Sequence, residues 1–195
     1  MRWIGLTGGI ASGKSTVSRI LMAKGYPVVD ADQLAREVVM AGTDGHREVV
    51  QAFGPDAVLS GGELNRKRIA DVVFTDPEKL GILESIIHPR VRALATAKRA
   101  ELAAAGHALA FYDVPLLFEK NMKSLFDKVV LVSCAPDLQI QRAMARDGLS
   151  RENAEKRIRA QMPLTQKFGL ADEIVLNNNG FSDLERAVDA LLARL

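Results

Sequence analysis

The sequence predicts a doubly wound α/β fold on a five-stranded parallel sheet. Two observations carry this. Five short apolar runs of strand length alternate with stretches of helical spacing. A glycine-rich turn joins the first run to the first helical stretch, and three of the runs open onto polar residues, Thr7-Gly8, Asp30 and Asp113.

The runs, in order, are Trp3-Ile4-Gly5-Leu6, Pro27-Val28-Val29-Asp30, Ala108-Leu109-Ala110-Phe111-Tyr112-Asp113, Lys128-Val129-Val130-Leu131-Val132 and Glu173-Ile174-Val175-Leu176. Each lacks the apolar/polar alternation of a half-solvated strand, so each reads as buried on both faces. In such sheets ligands bind beyond the carboxyl ends of the strands, so the polar residues there should share one rim. A helix is expected directly after the turn, with Thr16-Val17-Ser18-Arg19-Ile20-Leu21 in its spacing. The last helix is expected over 183–195, with Ser182 and Glu185 forming a capping box at its start.

Between the second and third runs the chain is too long for one crossover helix. Helical patterns at 31–40, 66–74 and 89–105, with turn signals at Gly42-Thr43-Asp44-Gly45 and Gly54-Pro55-Asp56, predict a mostly helical insertion over about 31–106. His88-Pro89 is expected to end one helix and begin the next. A second helical stretch, about 136–168, interrupts the core before the fifth run. The core is thus assigned to 1–30, 107–135 and 169–195, in a single domain of 195 residues.

Composition is that of a soluble protein: 48% hydrophobic, 26% charged, formal charge +2. So small a charge gives no argument for a nucleic-acid or membrane partner. The lone Cys134 cannot form an internal disulfide and reads as a packed strand-end residue in a reducing, cytoplasmic setting. The N-terminus shows no signal-peptide pattern, and no apolar segment approaches the roughly 18 residues of a membrane span.

The turn itself, Gly8-Gly9-Ile10-Ala11-Ser12-Gly13-Lys14-Ser15, fits Gly-x-x-x-x-Gly-Lys-Ser/Thr between a strand and a helix. In that context glycines let backbone N–H groups approach phosphate oxygens, and the new helix adds the positive end of its dipole. Gly9, Ile10, Ala11, Ser12, Gly13, Lys14, Ser15 and Thr16 are therefore candidates to hold a nucleoside triphosphate. Lys14 would reach the β- and γ-phosphates, and the Ser15 hydroxyl would ligate Mg²⁺.

Phosphoryl transfer also needs an acid that orients metal and a group that accepts a proton. Asp30 and Asp32, two apart on an extended segment, point the same way and supply both; either one is also suited to cap a helix starting near Gln33. Asp113 resembles the strand-end acid that orients Mg²⁺, or else is a turn aspartate. With Ser15 and Asp30 it completes the candidate metal set. Leu116-Leu117-Phe118 would ordinarily be core but, coming directly after Asp113, would also suit a pocket wall with Glu119 at its mouth. The 136–168 stretch carries Arg142, Arg146, Arg151, Arg157 and Arg159. Arg142 and Arg146, four apart, share a helix face. They form either a solvated basic surface or a lid whose guanidinium groups close on transferring phosphates.

Taken together the chain resembles the dephospho-CoA kinases. The carriers are Gly5–Thr16 and Val29-Asp-Ala-Asp-Gln-Leu-Ala-Arg36, then Leu64-Asn65-Arg66, Ile87-His88-Pro89 and Asp113-Val-Pro-Leu-Leu-Phe-Glu119. Gln141-Arg142, Ala145-Arg146-Asp147, Arg157-Ile158-x-x-Gln161 and Ala171-Asp172 follow. The resemblance implies a P-loop nucleoside-triphosphatase-like core, an insertion for the CoA substrate and a lid. It implies ATP and dephospho-CoA as partners, Mg²⁺ as cofactor, and Asp32 as base with Lys14, Arg142 and Arg146 in the catalytic set. Arg36, Asn65, His88 and Pro115, Leu116, Leu117 and Phe118 fall on the acceptor side. Ala11 stands where the loop often has glycine, and the small side chain is expected to be tolerated. Asn177 and Asn178 are alternatives for the approach to adenine, Asn178 being preferred beside Arg142. A monomer is favoured.

Two rivals remain at this level. A shikimate-type or nucleoside-monophosphate kinase shares the loop but is not expected to carry Leu64-Asn65-Arg66 together with His88-Pro89. A GTPase-like switch needs Asn-Lys-x-Asp and Asp-x-x-Gly, and neither occurs.

Overall fold

The computed structural model describes residues 1–195. In chain order the elements are β1 (Arg2–Gly8), α1 (Lys14–Ala23), β2 (Val28–Asp30), α2 (Ala31–Glu37), α3 (Asp44–Phe53), α4 (Arg66–Thr75) and α5 (Pro77–Ala104). They continue with β3 (Leu109–Asp113), β4 (Lys128–Ser133), α6 (Pro136–Asp147), α7 (Arg151–Arg159), α8 (Leu164–Phe168), β5 (Glu173–Leu176) and α9 (Phe181–Leu192). All five expected strands form, in one parallel sheet ordered β2-β3-β1-β4-β5. The chain divides into two compact units, residues 1–29 with 102–195, and residues 30–101.

In the first unit β1 is central, aligned with β3 from Arg2↔Leu109 to Leu6↔Asp113 and with β4 from Ile4↔Lys128 to Gly8↔Val132. Its alternate residues serve two faces. Ile4 and Leu6 join Val17, Ile20 and Leu21 of α1 and Leu184, Val188 and Leu191 of α9 in one core. Each such aliphatic side chain contributes about 1.5–3 kcal/mol on full burial. On the other face Trp3 stacks on Tyr112 at 5.5 Å. There a Cβ at Gly5 would lie 2.7 Å from Leu117 Cδ1 and 3.0 Å from the Phe126 ring, so any larger residue would have to displace those side chains. Cys134 is buried just past β4 and forms no disulfide, as expected of a packed strand end. Its thiol is pushed up by burial, against the opposing charge and hydrogen bond of Arg142.

The second unit packs around Val39, Val49, Ala57, Ile69 and Ile86. The structure corrects three local expectations, two of them in this unit. The segment 44–53, bracketed by two turn signals, is itself helix α3. Gly42 at φ 91° and Gly54 at φ 80° are its flanking breaks, and the Thr43 hydroxyl accepts the His46 N–H at 3.1 Å as its cap. Pro89 does not separate two helices, because α5 runs through it for 28 residues. Proline removes one N–H from the helical ladder, and near that gap Arg90 Nη1 donates to the Ile86 carbonyl at 2.7 Å. Exposure of Pro89 places the ring toward solvent, and burial of Ile86 anchors the preceding turn. Lastly, in the first unit, the Ser182–Glu185 capping box does not form. α9 starts two residues earlier than expected, with extended Gly180 as its cap, so Ser182 already lies inside the first turn.

Candidate active site

Between β1 and α1 the backbone folds tightly on itself. Ser12 N–H bonds the Gly9 carbonyl at 3.1 Å, and Thr16 and Val17 N–H bond the Gly13 carbonyl at 2.9 and 3.1 Å. Gly13 caps α1 at φ 97°, and a Cβ there would collide with the Asn177 amide, so both conformation and space demand glycine. No side chain caps α1 and its first turn holds no acid. The Lys14 and Ser15 N–H groups, ahead of the two that bond Gly13, thus have no acceptor in the helix, and the positive dipole end is left to an external anion. Ser12 Oγ, deep in the loop, is buried without a hydrogen-bond partner. Ala11 is tolerated where glycine was considered usual, but not freely: it sits at φ 57°, a left-handed conformation that costs an L-residue about 1–2 kcal/mol.

Lys14 is ion-paired with Asp113 at the end of β3, and the other Asp113 oxygen accepts Ser18 Oγ–H at 2.8 Å. Lys14, expected on the phosphates, is here held by the acid expected to orient metal. Ser15 is exposed on the first turn of α1. No group of three or more His, Cys, Asp or Glu side chains gathers anywhere in the chain. One hydroxyl and one carboxylate suit Mg²⁺, which binds through few protein ligands and fills its shell with water and substrate phosphates. Asp30 fits that set less well. Its Oδ1 accepts the Asp32 and Gln33 N–H groups at 2.7 and 3.1 Å, making Asp30, rather than Asp32, the cap of a helix that begins at Ala31. Asp32 is exposed in the first turn of α2.

The acceptor candidates separate by burial. Leu117 and Phe118 are core, while Pro115 and Leu116 stay accessible; the Pro115 carbonyl accepts Thr7 Oγ1–H at 3.2 Å. In the second unit Arg36 is exposed in the last turn of α2 and His88 is exposed mid-α5, 3.8 Å from Glu84. Asn65 caps α4 by accepting the Arg68 N–H at 3.1 Å.

Arg142 and Arg146, which their spacing places on one helix face, each have a partner in the protein. Arg142 donates to the Asn177 carbonyl at 2.9 Å. Arg146 forms a two-pronged bond to Asp147 at 2.8 and 3.0 Å, and Arg157 reaches the same carboxylate at 3.3 Å. The Arg146 bond holds the Asp147 carboxyl below its ordinary range. Arg151 and Arg159 both pair with Glu155 along α7. Asn177 and Asn178 also part company. Asn177 is buried and donates to the Ser12 carbonyl at 2.9 Å, bracing the loop, whereas Asn178 is exposed and accepts the Ala135 N–H at 2.7 Å.

Sequence reasoning missed three participants. Gln139 of α6 donates to the Ile10 carbonyl, and Gln161, noted in the sequence but given no role, accepts the Ile10 N–H. Lys167 of α8, with no exposed surface, lies 2.8 Å from Glu119 Oε1 but off the line of a hydrogen bond. Glu119 Oε1 also accepts the Met162 N–H at 3.1 Å, so Glu119 anchors the chain entering α8 rather than standing at a pocket mouth.

The sheet order, the loop and the uncapped helix behind it define an α/β nucleotide-binding protein of the P-loop kinase class. The sequence model of the dephospho-CoA kinase family matches residues 2–183. A dephospho-CoA kinase from Geobacter sulfurreducens is 46% identical over 194 residues, 100% of this chain and 98% of that one. Among solved structures, TT1252 from Thermus thermophilus has a TM-score of 0.85 at 42% identity, covering 100% of this chain and 97% of its own. The dephospho-CoA kinase from Campylobacter jejuni has a TM-score of 0.76 at 27% identity, covering 98% and 96%. The chain belongs to the dephospho-CoA kinase family. No helix is long and apolar enough to cross a membrane.

Proposed function

We propose that the chain transfers the γ-phosphate of ATP to the ribose 3′-hydroxyl of dephospho-CoA, giving CoA and ADP in the last step of CoA biosynthesis. A bond forms between the 3′ oxygen and the γ-phosphorus, the bond to the β,γ-bridging oxygen breaks, and ADP leaves with that electron pair. The hydroxyl proton passes to Asp32, the base. The loop N–H groups and the start of α1 hold the phosphates, and Lys14 leaves Asp113 to meet developing charge on them. Mg²⁺, when bound, neutralises phosphate charge; Ser15 would hold it, with Asp113 beside it through water.

Arg142 and Arg146, on the 136–168 lid, close on the nucleotide, and Asn178 faces the adenine. Arg36, Asn65 and His88 are the acceptor-side residues of the 30–101 unit; Pro115 and Leu116 are those of the other unit. The lone reduced Cys134 suits a cytoplasmic enzyme, and the reaction asks for no more than one chain. The observation that carries the reading is the uncapped, acid-free start of α1 behind a phosphate loop, in a chain matched almost end to end by one kinase family.

The experiment is a panel of acceptors (dephospho-CoA, shikimate and nucleoside monophosphates) offered with ATP and Mg²⁺, the products identified by mass. CoA formation is expected. Phosphorylation of another acceptor with none of dephospho-CoA would overturn the assignment.

A further inference from the structure

Two glutamines hold both backbone polar groups of a single loop residue. Gln139 Nε2 donates to the Ile10 carbonyl at 2.7 Å, and the Ile10 N–H donates to Gln161 Oε1 at 2.9 Å. These partners lie 129 and 151 residues away in sequence. Gln139 is only 4% exposed, so its amide has little water to fall back on. The Ile10 carbonyl belongs to the peptide plane that joins Ile10 to Ala11, and the orientation of that plane sets φ of Ala11. Ala11 is the loop's one non-glycine residue in the left-handed region, at φ 57°.

Such a conformation persists in an L-residue only where its surroundings over-determine it. If the Ile10–Ala11 plane rotated toward ordinary alanine geometry, the Ile10 carbonyl would swing away from Gln139. Gly9 shows how closely the clamp sits: a Cβ there would lie 2.6 Å from Gln139 Nε2 and 3.3 Å from Leu164 Cδ2. The absence of a side chain at Gly9 is what admits the glutamine.

We propose that Gln139, seconded by Gln161, is a positioning residue that locks the Ile10–Ala11 peptide and so preorganises the loop for the triphosphate. It touches no reacting atom; it removes the competing loop conformations that would otherwise dilute the binding-competent one. It also ties the 136–168 segment to the phosphate loop before any ligand arrives. The proposal rests on the loop's role as the ATP site but not on the identity of the acceptor.

The test is a cycle of Gln139→Met, which keeps length and burial but removes the donor, with Ala11→Gly, which makes the left-handed conformation free. Calorimetry with Mg²⁺ and the non-hydrolysable analogue AMPPNP, in the absence of acceptor, should show Gln139→Met binding about tenfold more weakly. In turnover the loss should sit in KM for ATP rather than in kcat or in KM for dephospho-CoA. Adding Ala11→Gly should bring nucleotide affinity back to within about threefold of the parent. Gln161→Met, at a less buried position, should give a smaller loss, about threefold, with the same rescue, and it serves if Gln139→Met fails to fold. Unchanged AMPPNP affinity in a folded variant overturns the proposal, as does a loss that Ala11→Gly does not repair. Failure of the acceptor assignment would look different: full AMPPNP binding by the parent and no CoA formed.

Discussion

Lys14 and Asp113 are ion-paired across the mouth of the phosphate loop, and Ser18 holds the carboxylate's second oxygen at 2.8 Å. Asp113 is nearly buried and Lys14 keeps 18% of its side chain exposed. Breaking a buried pair from one side leaves a charge without compensation, whereas replacing both partners is far milder. Lys14→Met should therefore cost about 2–3 kcal/mol of stability. Adding Asp113→Asn should return at least half of it, while activity stays lost in the double variant. Urea unfolding of the two single variants and the double checks this. Additive losses would mean that the two residues do not act as a pair.

Asp30 and Asp32 divide the roles that the sequence left shared. Asp30 accepts two N–H groups at the start of α2, so Asp30→Ala should cost about 1 kcal/mol of stability as a lost cap. Asp32 is exposed inside the first turn, past the cap that Asp30 forms. Asp32→Asn preserves shape and removes the base, so kcat should fall on the order of a hundredfold with ATP affinity retained. A near-normal kcat would remove Asp32 from the chemistry.

What could be read from sequence follows from the range of the interactions concerned. β1, β3 and β4 are legible because a doubly covered strand is an unbroken apolar run, and the phosphate loop because its glycines and Lys14-Ser15 are contiguous; the edge strands β2 and β5 form although much of each stays accessible. α3 carries no such mark: Gly42 and Gly54 read as turn residues, and they bound a helix instead. Pro89 misled because proline only disfavours the helix interior. Here packing of Ile86 and the Arg90 bond to its carbonyl accompany a continuous helix. The Gln139–Ile10, Asn177–Ser12 and Lys167–Glu119 contacts were invisible for a simpler reason. Each joins residues tens to more than a hundred positions apart, and no local pattern marks which glutamine, asparagine or lysine the fold will bury.

Arg146 already grips Asp147 with both prongs of its guanidinium, so the fork is pre-shaped for a pair of oxygens. In the reading of 136–168 as a lid, phosphate oxygens take the place of that carboxylate. Lysine keeps the charge but cannot bind two oxygens in parallel. Arg146→Lys should lose at least about tenfold in kcat/KM, or roughly 1.4 kcal/mol of transition-state stabilisation. Arg159 points along the exposed side of α7 to Glu155, and Arg159→Lys should change little. Equal, negligible effects of the two substitutions would leave α6 and α7 as a solvated basic surface.

Asp172 gives the fold an acid-sensitive joint. Its Oδ2 accepts the Val129 N–H at 2.8 Å and its Oδ1 accepts Lys123 Nζ–H at 2.9 Å, fastening the entry of β5 to β4. Partial burial works against the charged form, but the Lys123 and Val129 hydrogen bonds outweigh it and hold the carboxyl below its ordinary value. A carboxyl lowered in the folded state stabilises the protein above its unfolded pKa of about 3.9, and that contribution is lost as pH falls through the folded value. Asp172→Asn should therefore be less stable than the parent at pH 7 by up to about 1 kcal/mol, as suits a partly exposed pair. The gap should narrow below about pH 4 and close in stronger acid. Glu173, lowered by its Arg194 hydrogen bond, keeps its own acid dependence in both proteins and cancels in the difference. Urea midpoints measured from pH 7 down to the acid transition decide it. A gap of constant size would place the effect in the shape of the side chain rather than in its charge.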